Sequence, residues 1–162
     1  MNPSSNLILN EFLPYRLYNA AEKVSLSFAH VYKDEYGLNR PEWRVLAVLA
    51  QHPKMTATEI GHQSKMHKTK VSRAVFELEK RKWLVRELDN QDRRVEWLHL
   101  NKLGKSRFAG LSDLARAFEI GLIEALGTIA AAQLASALDK IEAMTLPVKR
   151  GTKSQANQRT LR

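Results

Sequence analysis

The sequence predicts a mainly α fold with one small β-hairpin wing: a winged helix-turn-helix with N- and C-terminal dimerisation helices. Three observations predict it. Residues Lys68 to Glu79 read as a helix with two unlike faces. At about 100° per residue, Val71, Ala74, Val75 and Leu78 fall on one side, and Thr69, Lys70, Ser72, Arg73 and Phe76 on the other. A polar turn, Asp89 to Arg94, lies between two short runs rich in Val, Leu and Trp, the mark of a hairpin. Stretches with apolar residues at three- and four-residue steps precede and follow this centre.

Taken in order, residues 1–12 read as a flexible arm. Pro14 suits a first helical turn, Tyr18, Ala21, Ser25, Phe28 and Tyr32 recur at helical steps, and Gly37 provides a stop, which gives a helix over 13–36. Asn39 and Glu42 form a capping box around Pro41. The helix that follows, Trp43 to Ala50, is apolar on most sides and therefore buried, and Pro53 ends it. Thr56 and Glu59 form a second capping box, opening a short helix over Ala57 to Gln63 with Ile60 inward. Ser64-Lys65-Met66 turns into the basic helix, which completes a helix-turn-helix.

Leu84 to Arg86 and Val95 to Leu100 are the two strands of the wing. Asn101 caps a long helix, Lys102 to Ala125, whose stripe is Phe108, Leu111, Ala115, Phe118, Leu122 and, just beyond, Leu126. Gly127-Thr128 breaks it, and a last helix runs from Ala130 to Met144 with Leu134, Leu138 and Ile141. Pro147 ends that helix, and 147–162 reads as a disordered basic tail. One domain thus spans 13–146, with the reading unit at 40–100 and flanking helices at 13–36 and 102–145. The flanking stripes exceed what a helix-turn-helix of this size hides, so they are expected to pair with a second copy of the chain.

Charge and composition narrow the function. Across 162 residues the net charge is +9, with 44% hydrophobic and 27% charged residues, a globular composition that favours a polyanionic partner. The positive charge is confined. The segment 148–162 holds five cations and no acid, 65–94 holds ten cations and five acids, and the remainder is near neutral. No run approaches the roughly 18 apolar residues of a membrane span, and no export signal opens the chain, so no membrane partner is expected. The absence of cysteine excludes disulfides, thiol catalysis and thiolate metal sites, and it fits the cytoplasm.

The five histidines do not pair at ligand spacing, since His62 and His67 are five apart. No glycine-rich phosphate loop is present. We therefore expect no catalytic residues, no resident metal and no cofactor. A basic helix followed by a basic hairpin instead points to double-stranded DNA. The helix presents Lys68, Thr69, Lys70, Ser72 and Arg73 from its N-terminal end. The wing presents Arg93 and Arg94 beside Asp92, which is placed to hold one guanidinium in a bidentate pair. A non-specific architectural DNA binder and a metal-responsive regulator are the alternatives.

From about residue 12 to 145 the chain resembles MarR-family transcriptional regulators. The resemblance lies in Pro41-Glu42-Trp43-Arg44-Val45-Leu46, Thr56-Ala57-Thr58-Glu59-Ile60-Gly61, Lys70 to Val75 through Leu78-Glu79, the wing triplet Asp92-Arg93-Arg94, and Asn101-Lys102-Leu103-Gly104. It implies a homodimeric regulator, usually a repressor, bound to a palindromic operator. Ser72 and Arg73 then face the major groove, Arg94 enters the minor groove, and Asp92 orients the wing. Three departures follow. Lys82 stands where a glycine is common, implying positive φ at a helix end. Asn90 replaces a frequent wing proline, implying a looser wing. The missing cysteines exclude the thiol-based sensors. The resemblance also implies an effector zone between the long helices and the reader, here Arg16, Phe28, His30, Trp43 and Arg44. An anionic aromatic ligand, an aromatic acid or its coenzyme A thioester, matches their charge and flat apolar surface.

Overall fold

A computed structural model describes residues 7–144. The basic tail and the first six residues of the expected arm lie outside that range. The order is α1 (Leu13–Tyr36), α2 (Arg40–Ala50), α3 (Ala57–Ser64), α4 (Lys68–Lys80), β1 (Leu84–Leu88), β2 (Glu96–Leu100), α5 (Lys102–Leu126) and α6 (Thr128–Ala143). A single 3-10 turn, Leu9–Glu11, precedes α1, so the end of the expected arm carries structure, though its Leu7, Ile8, Leu9 and Phe12 stay exposed. The chain divides into two compact units, Met1–Gly121 and Leu122–Arg162.

The helix boundaries follow local chemistry. Gly37, at φ +62, ends α1 as a left-handed cap, and its N–H bonds the Lys33 carbonyl at 2.8 Å. Both predicted capping boxes form. Asn39 accepts from the Glu42 N–H, and Thr56 from the Glu59 N–H, with each glutamate returning to the cap N–H. The Asn39 cap starts α2 at Arg40, three residues before the predicted Trp43. The turn between α3 and α4 is closed by Lys65 at φ +53 and by a Met66 N–H to Gly61 carbonyl bond of 3.0 Å. Lys82 stands at φ +59 after α4, the non-glycine left-handed position expected from the sequence. Its carbonyl accepts from Asn101 Nδ2 at 2.8 Å, and Asn101 Oδ1 caps α5 through the Gly104 N–H at 2.9 Å.

The core sits in the first unit. Val45, Leu46 and Leu49 of α2, Ile60 of α3, Val71, Val75 and Leu78 of α4, and Leu98 and Leu100 of β2 are all buried, with Leu111 of α5 and Tyr32 of α1. The strands pair antiparallel from Leu84↔Leu100 to Leu88↔Glu96. Met55, in the α2–α3 loop, adds a bridge to Leu98 with backbone bonds of 2.8 and 2.9 Å, which fixes the wing to the helix-turn-helix. In the second unit α6 has no buried residue, and Ile129, Leu134, Leu138 and Ile141 are exposed. Among the described residues no single helix is long and apolar enough to cross a membrane.

Candidate nucleic-acid interface

The two faces of α4 separate as predicted. Val71, Ala74, Val75 and Leu78 are buried, which turns Thr69, Lys70, Ser72, Arg73 and Phe76 outward. Lys68 is exposed at the start of the helix. The His67 side chain caps α4 by accepting from the Thr69 N–H, a long bond at 3.4 Å. The Lys70 and Val71 N–H groups bond back to the His67 carbonyl at 2.9 and 3.2 Å, so what this helix end offers a phosphate is its dipole and the exposed Lys68 and Lys70.

The wing is held to this helix by Arg86 of β1. Its guanidinium bonds Glu79 of α4 at 3.1 Å and also pairs with Glu96 of β2. Hydrogen bonds to Glu79 first, then Glu96, raise its pKa, so the guanidinium stays protonated. The tip of the hairpin is organised by Asp89. Its carboxylate accepts from Trp97 Nε1 at 2.8 Å and from the N–H groups of Gln91 at 2.8 Å and Asp92 at 2.9 Å. The Trp97 bond, followed by those two amides, lowers its pKa to about 2. Trp97 is covered on its other side by Lys54, whose Nζ lies 4.6 Å from the ring centroid. Asn90 lies inside the cage of hydrogen bonds that Asp89 makes.

Arg94 extends from this tip with its side chain 92% exposed. Asp92 Oδ1 accepts from Arg94 Nε at 3.2 Å and from the Arg94 backbone N–H at 3.0 Å. The expected bidentate pair is thus a single-pronged one. The two residues are only two apart in one turn, so Oδ1 serves the backbone and Nε together and the terminal guanidinium nitrogens remain free to reach outward. Arg93 is exposed beside it.

The residues expected at an effector site do not converge within one chain. Phe28 and Trp43 meet edge to face at 5.4 Å, in an aromatic cluster with Tyr32, Phe108 and Phe118. Arg16 and His30 share α1 with Phe28, but lie about 120° and 200° around the helix from it and are exposed. Arg44 lines a separate cavity of about 210 Å³ with Arg40, Pro41, Lys65, Met66, His67 and Lys70. Sequence reasoning missed Arg40, Lys65 and Asp89. The four-residue step from Arg40 to Arg44 was a visible signal for the first. Asp89 opens a charged turn, a common place for a carboxylate that accepts from nearby amides.

Comparison with known proteins agrees with this architecture. A MarR family model matches residues 36–95. A MarR family transcriptional regulator from Silicibacter pomeroyi DSS-3 is similar at 30% identity and a TM-score of 0.72, over 85% of this chain and 97% of that one. The transcriptional repressor CouR, solved bound to a 23-mer DNA duplex, is similar at 30% identity and a TM-score of 0.75, over 85% of this chain and 99% of that one. Bordetella bronchiseptica BpsR, whose structure concerns regulation of DNA binding by 6-hydroxynicotinic acid, shares the fold at 17% identity and a TM-score of 0.77, over 87% of this chain and all of that one. No curated protein sequence matches. Motif, wing, capping pattern and a relative matched over almost its full length agree: the chain belongs to the MarR family of transcriptional regulators.

Proposed function

We propose that the chain is a sequence-specific repressor that binds a palindromic operator as a homodimer and leaves it when a small anionic aromatic compound binds. One observation carries the DNA part. A helix anchored by four buried apolar residues turns Thr69, Lys70, Ser72 and Arg73 to solvent, next to a braced wing whose Arg94 is 92% exposed. In this reading Ser72 and Arg73 contact base edges, Lys68, Thr69 and Lys70 contact the flanking backbone, and Arg93 and Arg94 follow the minor groove. That CouR was solved on a DNA duplex supports the class of partner.

The exposed Leu13, Tyr18, Val24 and Leu26 of α1, and Ile120, Ile123 and Leu126 of α5, support a second copy as partner, as does the exposed face of α6. A two-fold dimer sets two reading helices about one DNA turn apart. Release follows if the effector prefers dimers with the reading heads wrongly spaced. A preference of about 100-fold supplies roughly 2.7 kcal/mol, enough to empty a marginally occupied operator. In this reading the Phe28–Trp43 pair supplies the aromatic wall for such a ligand, while Arg16, His30 and Arg44, which stand apart from that wall within one chain, serve its carboxylate only across the dimer or after the heads move.

The test is a selection of bound sites from random duplex, followed by titration of the complex with aromatic acids and their coenzyme A thioesters. An inverted repeat released by at least one compound is expected, with a Trp43 fluorescence change that disappears in Trp43→Phe. Equal binding to all duplexes counts against the repressor reading. An operator that none of the compounds releases counts against the effector class.

A further inference from the structure

The cavity that holds Arg44 borders the reading face of α4, with which it shares Lys70, but lies apart from the aromatic cluster, and its lining is one-sided. Arg40, Arg44, Lys65 and Lys70 bring four fixed cations to a space of about 210 Å³, His67 lines it with them, and no acid does. Among the described residues none of these five forms a salt bridge. Cations crowded without a counter-charge repel one another, and a bound anion removes that repulsion.

Two helix ends add to the field. Arg40 and Pro41 occupy the first turn of α2, an 11-residue helix, while His67 caps α4 and Lys70 lies in its first turn, a 13-residue helix. Both positive dipole ends therefore border the same space. The left-handed Lys65, at φ +53, and the Met66 N–H bond to the Gly61 carbonyl fix the turn that brings α4 to this position. The Asn39–Glu42 capping box fixes the start of α2.

We propose that this cavity is a phosphate-class oxyanion site, filled by one backbone phosphodiester of the duplex at the edge of the major groove that α4 enters. Arg40 and Arg44 approach the phosphate from α2, Lys65 and Lys70 from the turn and α4. The contact positions α4 along the groove and carries no sequence information. The phosphodiester source rests on the DNA-binding reading above. The oxyanion chemistry of the cavity does not.

The experiment uses the full chain and Arg40→Gln/Arg44→Gln, both surface substitutions, with matched thermal unfolding as the check on folding. The first arm measures binding to the selected duplex against salt, with single neutral methylphosphonate linkages placed in turn across each half-site. Neutralising one phosphate changes the log–log salt slope by about 0.9. The wild type should lose affinity at each linkage its backbone contacts reach, one of them per half-site being the phosphate that this cavity holds. The variant should lose nothing further there, show a slope shallower by about one per half-site, and keep its base preference. The second arm titrates inorganic phosphate into the free protein and follows the amide resonances of Arg40 and Lys65 to Lys70. Saturable shifts that vanish in the variant, without a linkage effect, assign the cavity to a small free oxyanion and still support the site. If the wild type binds no duplex, the functional reading fails while this second arm alone decides the cavity. Finding neither a linkage effect specific to the wild type nor phosphate-dependent shifts would overturn the proposal.

Discussion

At the scale of single residues, two positions on the wing make separable predictions. Arg94→Ala should weaken operator binding by about 1–3 kcal/mol, measured by duplex titration, because a charged contact to a narrow groove is lost. Unchanged affinity would remove Arg94 from the reader. Asp89 acts from inside the wing and shows itself through pH. Its carboxyl titrates near 3.8 when unperturbed and near 2 in the fold, a depressed value, so its contribution is complete above the higher figure and lost as pH falls through the lower. Protection of the Gln91 and Asp92 amides from exchange should fall across that window and lose its pH dependence in Asp89→Asn. The outward placement of Ser72, Arg73 and Arg94 was legible in the sequence because helical period and hairpin composition are local signals. The Asp89 cage was not, because its strongest partner, Trp97, is eight residues away and meets it only through the strand register.

Elements meet at three tight joints. The first is Gly104, where an added Cβ would fall inside contact distance of the Trp83 carbonyl, which is backbone and unable to yield. Gly104→Ala should therefore destabilise by roughly 1–3 kcal/mol in urea unfolding, by forcing α5 off the wing. The second is Lys82, a lysine in left-handed backbone with its side chain exposed. Lys82→Gly should relieve this conformation and raise the urea midpoint by an amount worth about 1 kcal/mol, with unchanged m. The third is Arg81, which donates to the carbonyls of Tyr36 at 3.1 Å and Gly37 at 2.7 Å and lies 3.7 Å from the buried Glu42. It fastens the end of α1 to α2 and α4. The capping residues Asn39, Thr56, Asn101 and Gly37 placed the helix ends from sequence, because caps act within three or four residues. Arg81 was unreadable there, since its acceptors lie 44 and 45 positions upstream.

For the whole molecule, the sequence foretold an excess of apolar helix, and the exposed apolar residues of α1, α5 and α6 in the single chain agree with it. The clustering of Arg44 with Lys65 and Lys70 was beyond sequence reasoning, because α2 and the α3–α4 turn are brought together only by packing. Sedimentation should give twice the 18.5 kDa of one chain, and Leu138→Glu should shift it toward one. The central claim is that this fold reads sequence as a dimer, and the most direct measurement is the affinity ratio between a selected inverted repeat and random duplex at fixed salt. The account predicts a ratio of roughly 10³ or more, with two chains bound per repeat and most of the preference lost in Arg73→Ala. A ratio near one, or one chain bound per repeat, would contradict it.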